Sequence, residues 1–325
     1  MTSAAFDVLG IGNAIVDVIT HADDSFLTKH ALVKGSMTLI DEARAETLYG
    51  AMGPGVEISG GSCGNTIAGV ASFGGKGAYV GKVRNDQLGA VFGHDLRATG
   101  VTFGTAQATE GPSTARCLIV VTPDAQRTMN TYLGACTRLG PSDIDVAQVT
   151  AAQVTYVEGY LWDPPEAKKA VLKAFDAAHA AGRTVSITLS DSFCVDRYRD
   201  EFRALIRDKV DILFANESEI KSLYQVDSFE AALAAARAEN KICALTRSEK
   251  GSVVIKGSEI HAVPAAPVAR VVDTTGAGDL YAAGFLFGFT HGKPLAECAR
   301  LGGIAAAEVI SHVGARPEKA LKGLI

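Results

Sequence analysis

From residue 154 to residue 246, short apolar and β-branched runs alternate with longer amphipathic stretches. Strands are expected at 154–157, 185–189, 212–215 and 242–246, and helices at 165–181, 197–207, 217–224 and 229–239. Pro165 in a first turn and Gly182 just past a last one mark the borders of the first helix. Strands joined through helices need crossover connections, which makes neighbouring strands parallel and covers both faces of the sheet. The rhythm therefore predicts an α/β fold with a doubly wound, mostly parallel sheet.

The rest of the chain fits that rhythm in part. Strands are expected at 6–11, 15–19 and 78–81, a helix from about Asn65 after the glycine-rich stretch 59–64, and another over 88–99. Two runs, 115–122 and 127–133, flank Pro123-Asp124 and read as a hairpin. The stretches 14–50 and 105–135 do not continue the strand–helix alternation and suggest a small separate β-layer. The expected division is a large α/β domain from 1–13, 51–104 and 136–325, with a small β-layer from 14–50 and 105–135. A chain of 325 residues suits one large domain with such an insertion.

Charge and composition narrow the function. Lys plus Arg is 31 against 36 for Asp plus Glu, a net charge of -5 with no basic run, which argues against nucleic acid or an anionic membrane as partner. The six cysteines, Cys63, Cys117, Cys136, Cys194, Cys243 and Cys298, are scattered without a CxxC pair. They read as reduced, buried residues of a cytoplasmic protein. The opening residues have no basic leader, and no apolar run reaches bilayer length.

The strongest local signal is the stretch 271–285, VVDTTGAGDLYAAGF. A β-branched run ends in a turn of small residues, and an apolar helix follows at once. Free amides at such a helix start, with no side chains in the way, make an anion site. Asp279 lies in the first turn, where a carboxylate either complements the helix dipole or takes the proton from a hydroxyl attacking a phosphate. A P-loop is absent, and Gly10-Ile11-Gly12 lacks the third glycine of a dinucleotide fingerprint.

Asp273–Asp279 (DTTGAGD) with the apolar helix after it resembles the C-terminal signature of the ribokinase-like carbohydrate kinases, the phosphofructokinase-B group. Gly60-Gly61-Ser62-Cys63-Gly64-Asn65 resembles the N-terminal signature of that group, and Asn216-Glu217-Ser218-Glu219 its NxxE motif. Within the group the adenosine kinases are the nearest likeness. Gly12-Asn13 followed by Asp17 resembles their GNxxxD opening, and the stretches 210–214 and 293–298 are similar as well.

The resemblance implies a ribokinase-like fold in which the small β-sheet is a lid over the sugar site. It implies ATP- and Mg²⁺-dependent phosphorylation of a nucleoside 5′-hydroxyl, adenosine first, by a monomer or homodimer. Another nucleoside (guanosine, inosine, cytidine) or a free sugar such as ribose or fructose is the alternative acceptor. Asp279 would be the general base, Gly276, Ala277 and Gly278 the anion hole, and Arg127 on the lid a clamp on the transferring phosphate. Asp17 and Asn65 would hold the ribose hydroxyls, with Asn13, Gly60, Gly61 and Ser62 around them. Leu133, Ala135 and Leu161 would line the base pocket. Asn216 and Glu219 would organise Mg²⁺ through water, and Thr246, Gly251, Thr275 and Gly303 would contact the nucleotide. Asp273 and Thr275 match a monovalent-cation site, with K⁺ as the ion.

Four positions depart from the pattern. Thr275 stands where adenosine kinases have Asn, Ser248 replaces a glycine of the nucleotide turn, Gly303 replaces an Asn near the ATP base, and Leu161 replaces an aromatic that stacks on the substrate base. These departures predict a looser choice among bases.

Overall fold

A computed structural model describes residues 4–124 and 126–325 of the chain. The first three residues of the expected large domain, and Ala125 in the turn of the expected lid, lie outside the described residues. The strands are β1 (Phe6–Ile11), β2 (Ile15–His21), β3 (Met37–Leu39), β4 (Gly55–Ser59), β5 (Gly77–Val80), β6 (Thr102–Phe103), β7 (Ala115–Val121), β8 (Arg127–Tyr132), β9 (Ala152–Glu158), β10 (Thr184–Thr188), β11 (Ile212–Asn216), β12 (Ile242–Thr246), β13 (Ser252–Lys256) and β14 (Glu259–Val263).

The larger sheet has the order β14-β13-β12-β11-β10-β9-β1-β5-β6. From β12 to β6 each neighbouring pair is parallel, and β13 and β14 add an antiparallel edge. Its central strands are buried on both faces, so they read as apolar runs. Successive side chains still part to opposite faces. Val8, Tyr156 and Phe214 enter a core with helices Ser62–Ser72, Gln87–Ala98, Ala277–Thr290 and Leu295–Val309. Leu9, Val157 and Leu213 enter a second core with helices Pro165–Ala180, Ser192–Lys209, Glu217–Tyr224 and Phe229–Ala238. This is the doubly wound sheet that the alternation predicts.

The chain runs from β1 outward to β5 and β6, then returns to the other side of β1 at β9 and continues outward to β12. Connections leaving the carboxyl ends of β1 and β9 therefore diverge and leave a crevice, where open α/β sheets take ligands. Helix Ser192–Lys209 begins earlier than the sequence suggests, because Asp191 accepts a hydrogen bond from the Phe193 amide and caps it.

The smaller sheet has the order β3-β8-β7-β2-β4. The runs around Pro123-Asp124 are its antiparallel β7–β8 pair. β4, from the stretch assigned to the large domain, is its edge strand and sets Ile58 opposite Asp17. Within 14–50 the chain also forms helices Asp24–Lys29 and Glu42–Ala51, capped by Asp23 and Asp41. Of the second helix only Ala45 and Leu48 are buried, against Val16, Val18 and Leu118, too short a stripe to announce a helix. The period of two puts Asp17, Cys117 and Arg127 together on the opposite face of this sheet.

All six cysteines are buried and unpaired. Among the described residues, no helix is long and apolar enough to cross a membrane.

Candidate active site

Helix Ala277–Thr290 starts in a tight left turn. Its N-cap, Gly276, has φ +79°, and a Cβ there would strike Ala315, so glycine is required twice over. At Gly278 a Cβ would meet nothing within 4 Å, so the first turn faces open space. Asp279 follows and is held from across the crevice. Ser62 Oγ donates to one carboxylate oxygen at 2.6 Å and Asn65 Nδ2 to the other at 2.9 Å. Burial pushes the Asp279 carboxyl above its ordinary value, against those two bonds and the charge of Arg316. Each oxygen keeps a lone pair for a substrate hydroxyl. Ser62 and Asn65, expected on the sugar, thus orient the Asp279 carboxylate.

Both donors sit in the first turn of helix Ser62–Ser72, which follows Gly60-Gly61. A Cβ on Gly60 would overlap the Asp17 carboxylate, and one on Gly61, at φ +82°, would strike the Asn13 carbonyl. The glycine turn therefore lies bare against both predicted sugar residues. Burial pushes Asp17 up to about 6, although Arg127 and Arg316 pull it down.

Glu158, which no motif singled out, joins this region together. It ends β9 in the crevice and is 1% exposed. One oxygen accepts from the Asn13 amide at 2.9 Å and the other from the Cys63 amide at 2.8 Å. Burial pushes its carboxyl up to about 7 in spite of these bonds. A lone acid closing the apolar run VTYVE was the available signal.

The side where the nucleotide was expected is built locally. Asn216 accepts from the Glu219 amide at 2.8 Å while the Glu219 carboxylate accepts from the Asn216 amide at 3.0 Å, a reciprocal cap on helix Glu217–Tyr224. The Asn216 side-chain amide also donates to Glu219 at 2.6 Å. Glu219 is buried and pushed up to about 7. With Asp279, Ser62, Tyr160, Thr246, Gly276 and Gly278, these two residues line a cavity of ≈ 240 Å³. Gly251 is required by its own turn, where at φ +83° a Cβ would strike the Val263 carbonyl. Gly303 packs on Ala266 and is not among the residues lining that cavity.

Arg127 is buried on β8 and ion-paired with Asp273. The same carboxylate accepts from the Thr275 amide at 3.0 Å, the Thr275 hydroxyl at 2.7 Å and the Gly314 amide at 2.9 Å. Burial would raise Asp273, but the Gly314 and Thr275 bonds and the Arg127 charge outweigh it and hold the carboxyl below its ordinary value. With two donors on each oxygen, about four lone-pair sites are filled. The carboxylate that was expected to take K⁺ holds a guanidinium instead and does not fit the ion.

The expected base-lining residues are not brought to Asp279. Leu161 and Ala135 are both 0% exposed, and Leu161 belongs to the second core. Leu133 opens onto a different cavity, shared with Leu39, Thr131 and Thr137. The short turn Gly159–Trp162 sends consecutive side chains apart, so Tyr160 reaches the crevice while Leu161 and Trp162 enter the core.

The sequence pattern of the pfkB family of carbohydrate kinases matches residues 37–320. The fold superposes with TM-score 0.92 on the adenosine kinase from Sinorhizobium meliloti, 56% identical, over 99% of this chain and 98% of that one. A probable sugar kinase protein from Rhizobium etli CFN 42 is 55% identical, with TM-score 0.92 over 99% of this chain and 98% of its own. Adenosine kinase 1 of Arabidopsis thaliana is 27% identical over 98% of this chain and 99% of its own.

Proposed function

This chain belongs to the pfkB family of carbohydrate kinases, and from that premise we propose that it phosphorylates the 5′-hydroxyl of a nucleoside, adenosine first, at the expense of ATP. The observation that carries the reading is Asp279, oriented by Ser62 and Asn65 beside the open start of a glycine-led helix.

MgATP, when bound, supplies the phosphoryl group and a cation that neutralises its charge. Asp279 accepts the proton of the 5′-hydroxyl as the oxygen attacks phosphorus, and burial, by raising its basicity, suits it to that step. The amides of Gly276 and Gly278 face the phosphate charge without a side chain between, whereas the Ala277 amide, expected beside them, is already given to the Thr274 carbonyl at 3.2 Å. Glu219, with both oxygens already in the cap, suits contact with Mg²⁺ through water rather than direct ligation.

Asp17 accepts vicinal ribose hydroxyls against the bare Gly60-Gly61 backbone. Arg127 clamps the transferring phosphate when it exchanges Asp273 for that charge. Tyr160 supplies an aromatic wall; a base face covering about 100 Å² is worth about 2.5 kcal/mol, nearly a hundredfold. A cytoplasmic purine-salvage role suits the unpaired cysteines. The free-sugar reading is favoured by the name of the Rhizobium etli relative.

The deciding measurement is kcat/KM with MgATP for adenosine, guanosine, inosine, cytidine, ribose and fructose under one set of conditions. Adenosine is expected to lead, with other nucleosides next. A lead for ribose or fructose overturns the nucleoside reading and leaves a sugar kinase.

A further inference from the structure

Beyond the last helix, the segment after Val309 returns to the crevice and places Arg316 beneath it. The guanidinium makes three contacts with one residue. Nε and Nη2 donate to the Ser59 carbonyl at 3.1 and 2.8 Å, and Nη2 to the Ser59 hydroxyl at 3.1 Å. Ser59 is 1% exposed and ends β4, so it is the last residue of the small sheet before Gly60-Gly61 and the body helix. Its amide is taken from the other side by Asp95 at 2.7 Å. The residue entering the glycine turn is thus gripped by an acid and by a base. The third guanidinium nitrogen, Nη1, is buried with no partner. A buried unpaired N–H is costly, and an arginine serving only to tie Ser59 has no need of one.

We propose that Arg316 is a positioning residue for the sugar end of the site, fixing the glycine turn with its fork and keeping Asp17 ionised with its charge. The inference rests on the reading that ribose lies beside Asp17. Ser59 precedes the glycine that packs against the Asp17 carboxylate, so a slack Ser59 lets that wall move. The ionisable groups acting on Asp17 are Arg127 from β8, Arg316 and Asp279, with Cys117 opposite on β7. Those acting on Arg316 are Asp95, Asp17, Tyr79 and Asp279. Arg127, already engaged by Asp273, is the stronger of the two cations acting on Asp17, and removing Arg316 leaves it as the only one.

Two variants separate the fork from the charge. Arg316→Met is expected to raise the nucleoside KM at least about tenfold (about 1.4 kcal/mol), leave the ATP KM near wild type, and move the acid limb of kcat/KM to higher pH. Arg316→Lys keeps the charge without the fork. It should return the acid limb toward wild type while KM stays high. A wild-type KM and acid limb in Arg316→Met overturn the proposal, as does an equal rise in the KM of ATP. If Arg316→Met does not fold, Arg316→Lys decides alone, and a wild-type nucleoside KM there overturns the fork. Wild-type enzyme that ignores nucleosides refutes the functional reading itself, a result distinct from any of these.

Discussion

At the phosphate end of the Asp279 cavity each motif is shaped by bonds between near neighbours in the chain, although Asp273 also takes Arg127 and Gly314 from farther away. Asn216 and Glu219 cap each other across 3 residues, and Thr275 reaches Asp273 across 2. At its sugar end the spans are of another order: 145 residues from Asn13 to Glu158, 95 from Cys63 to Glu158, and 217 from Ser62 to Asp279. A local cap forms with its own helix and costs little chain entropy, whereas a long-range bond exists only once the whole domain has closed. The phosphate end is a set of prefabricated parts. The sugar end is a product of the tertiary fold, so damage there should spread.

Asp279 belongs to both ends, and its loss should be the largest effect. Asp279→Asn keeps the shape and removes the base, and is expected to lower kcat by roughly 10²–10⁴ with far smaller changes in KM. Near-normal turnover would remove Asp279 from the chemistry. The contrast in stability comes next. Glu158→Ala leaves the Asn13 and Cys63 amides buried without acceptors, at about 1–3 kcal/mol each, so urea unfolding should show a loss of about 3 kcal/mol. Glu219→Ala leaves the Asn216 side chain capping its helix and should cost about 1 kcal/mol. Equal losses would break the comparison.

Asp17→Ala should weaken nucleoside binding by about 1.5–3 kcal/mol, the worth of hydrogen bonds to a charged group. A 2′-deoxynucleoside should suffer on the wild-type enzyme and little more on the variant; the same penalty on both proteins would detach Asp17 from the ribose. Acidity should act on the whole site. Asp17 at about 6 and Glu158 and Glu219 at about 7 lie above their unfolded values, so the folded state binds protons more tightly than the unfolded one. Their effect on stability is therefore most favourable below the unfolded values and declines as pH rises through 6 to 7. Between about pH 8 and about pH 6, acidification should raise Tm while kcat/KM falls. Parallel changes in both would contradict the buried-carboxylate picture. The smallest expected effect is none: exchanging K⁺ for choline at fixed ionic strength should leave Tm unchanged, because Arg127 holds Asp273 until a phosphate draws it away.

The same division explains what the sequence disclosed. Runs of apolar residues flagged the parallel sheet because each strand must be buried on both faces. DTTGAGD and NxxE were legible because each motif folds on itself. Arg316 left no trace, since nothing near residue 316 hints at Ser59, 257 residues away. Leu161 misled because one position along the short turn at Gly159–Trp162 exchanges crevice for core, and spacing alone cannot resolve which of Tyr160 and Leu161 turns inward. β4 was assigned to the wrong layer because its burial rises steadily from exposed Gly55 and Val56 to buried Ser59, with no alternation to mark a strand.

The stretch 314–316 gives one amide to Asp273, seats Ala315 under Gly276 and sends Arg316 to Ser59. Each of the other residues assigned to the site is made earlier, from Asn13 to Gly303. During synthesis, domains fold from the N-terminal side as the chain emerges, so both sheets can be complete while this stretch is still unmade. A nascent chain at that stage has Asp279 held by Ser62 and Asn65 but lacks the ties that residues 314–316 give to Asp273, Gly276 and Ser59. If Arg316 positions the glycine turn as proposed, full phosphoryl transfer waits until synthesis has passed residue 316.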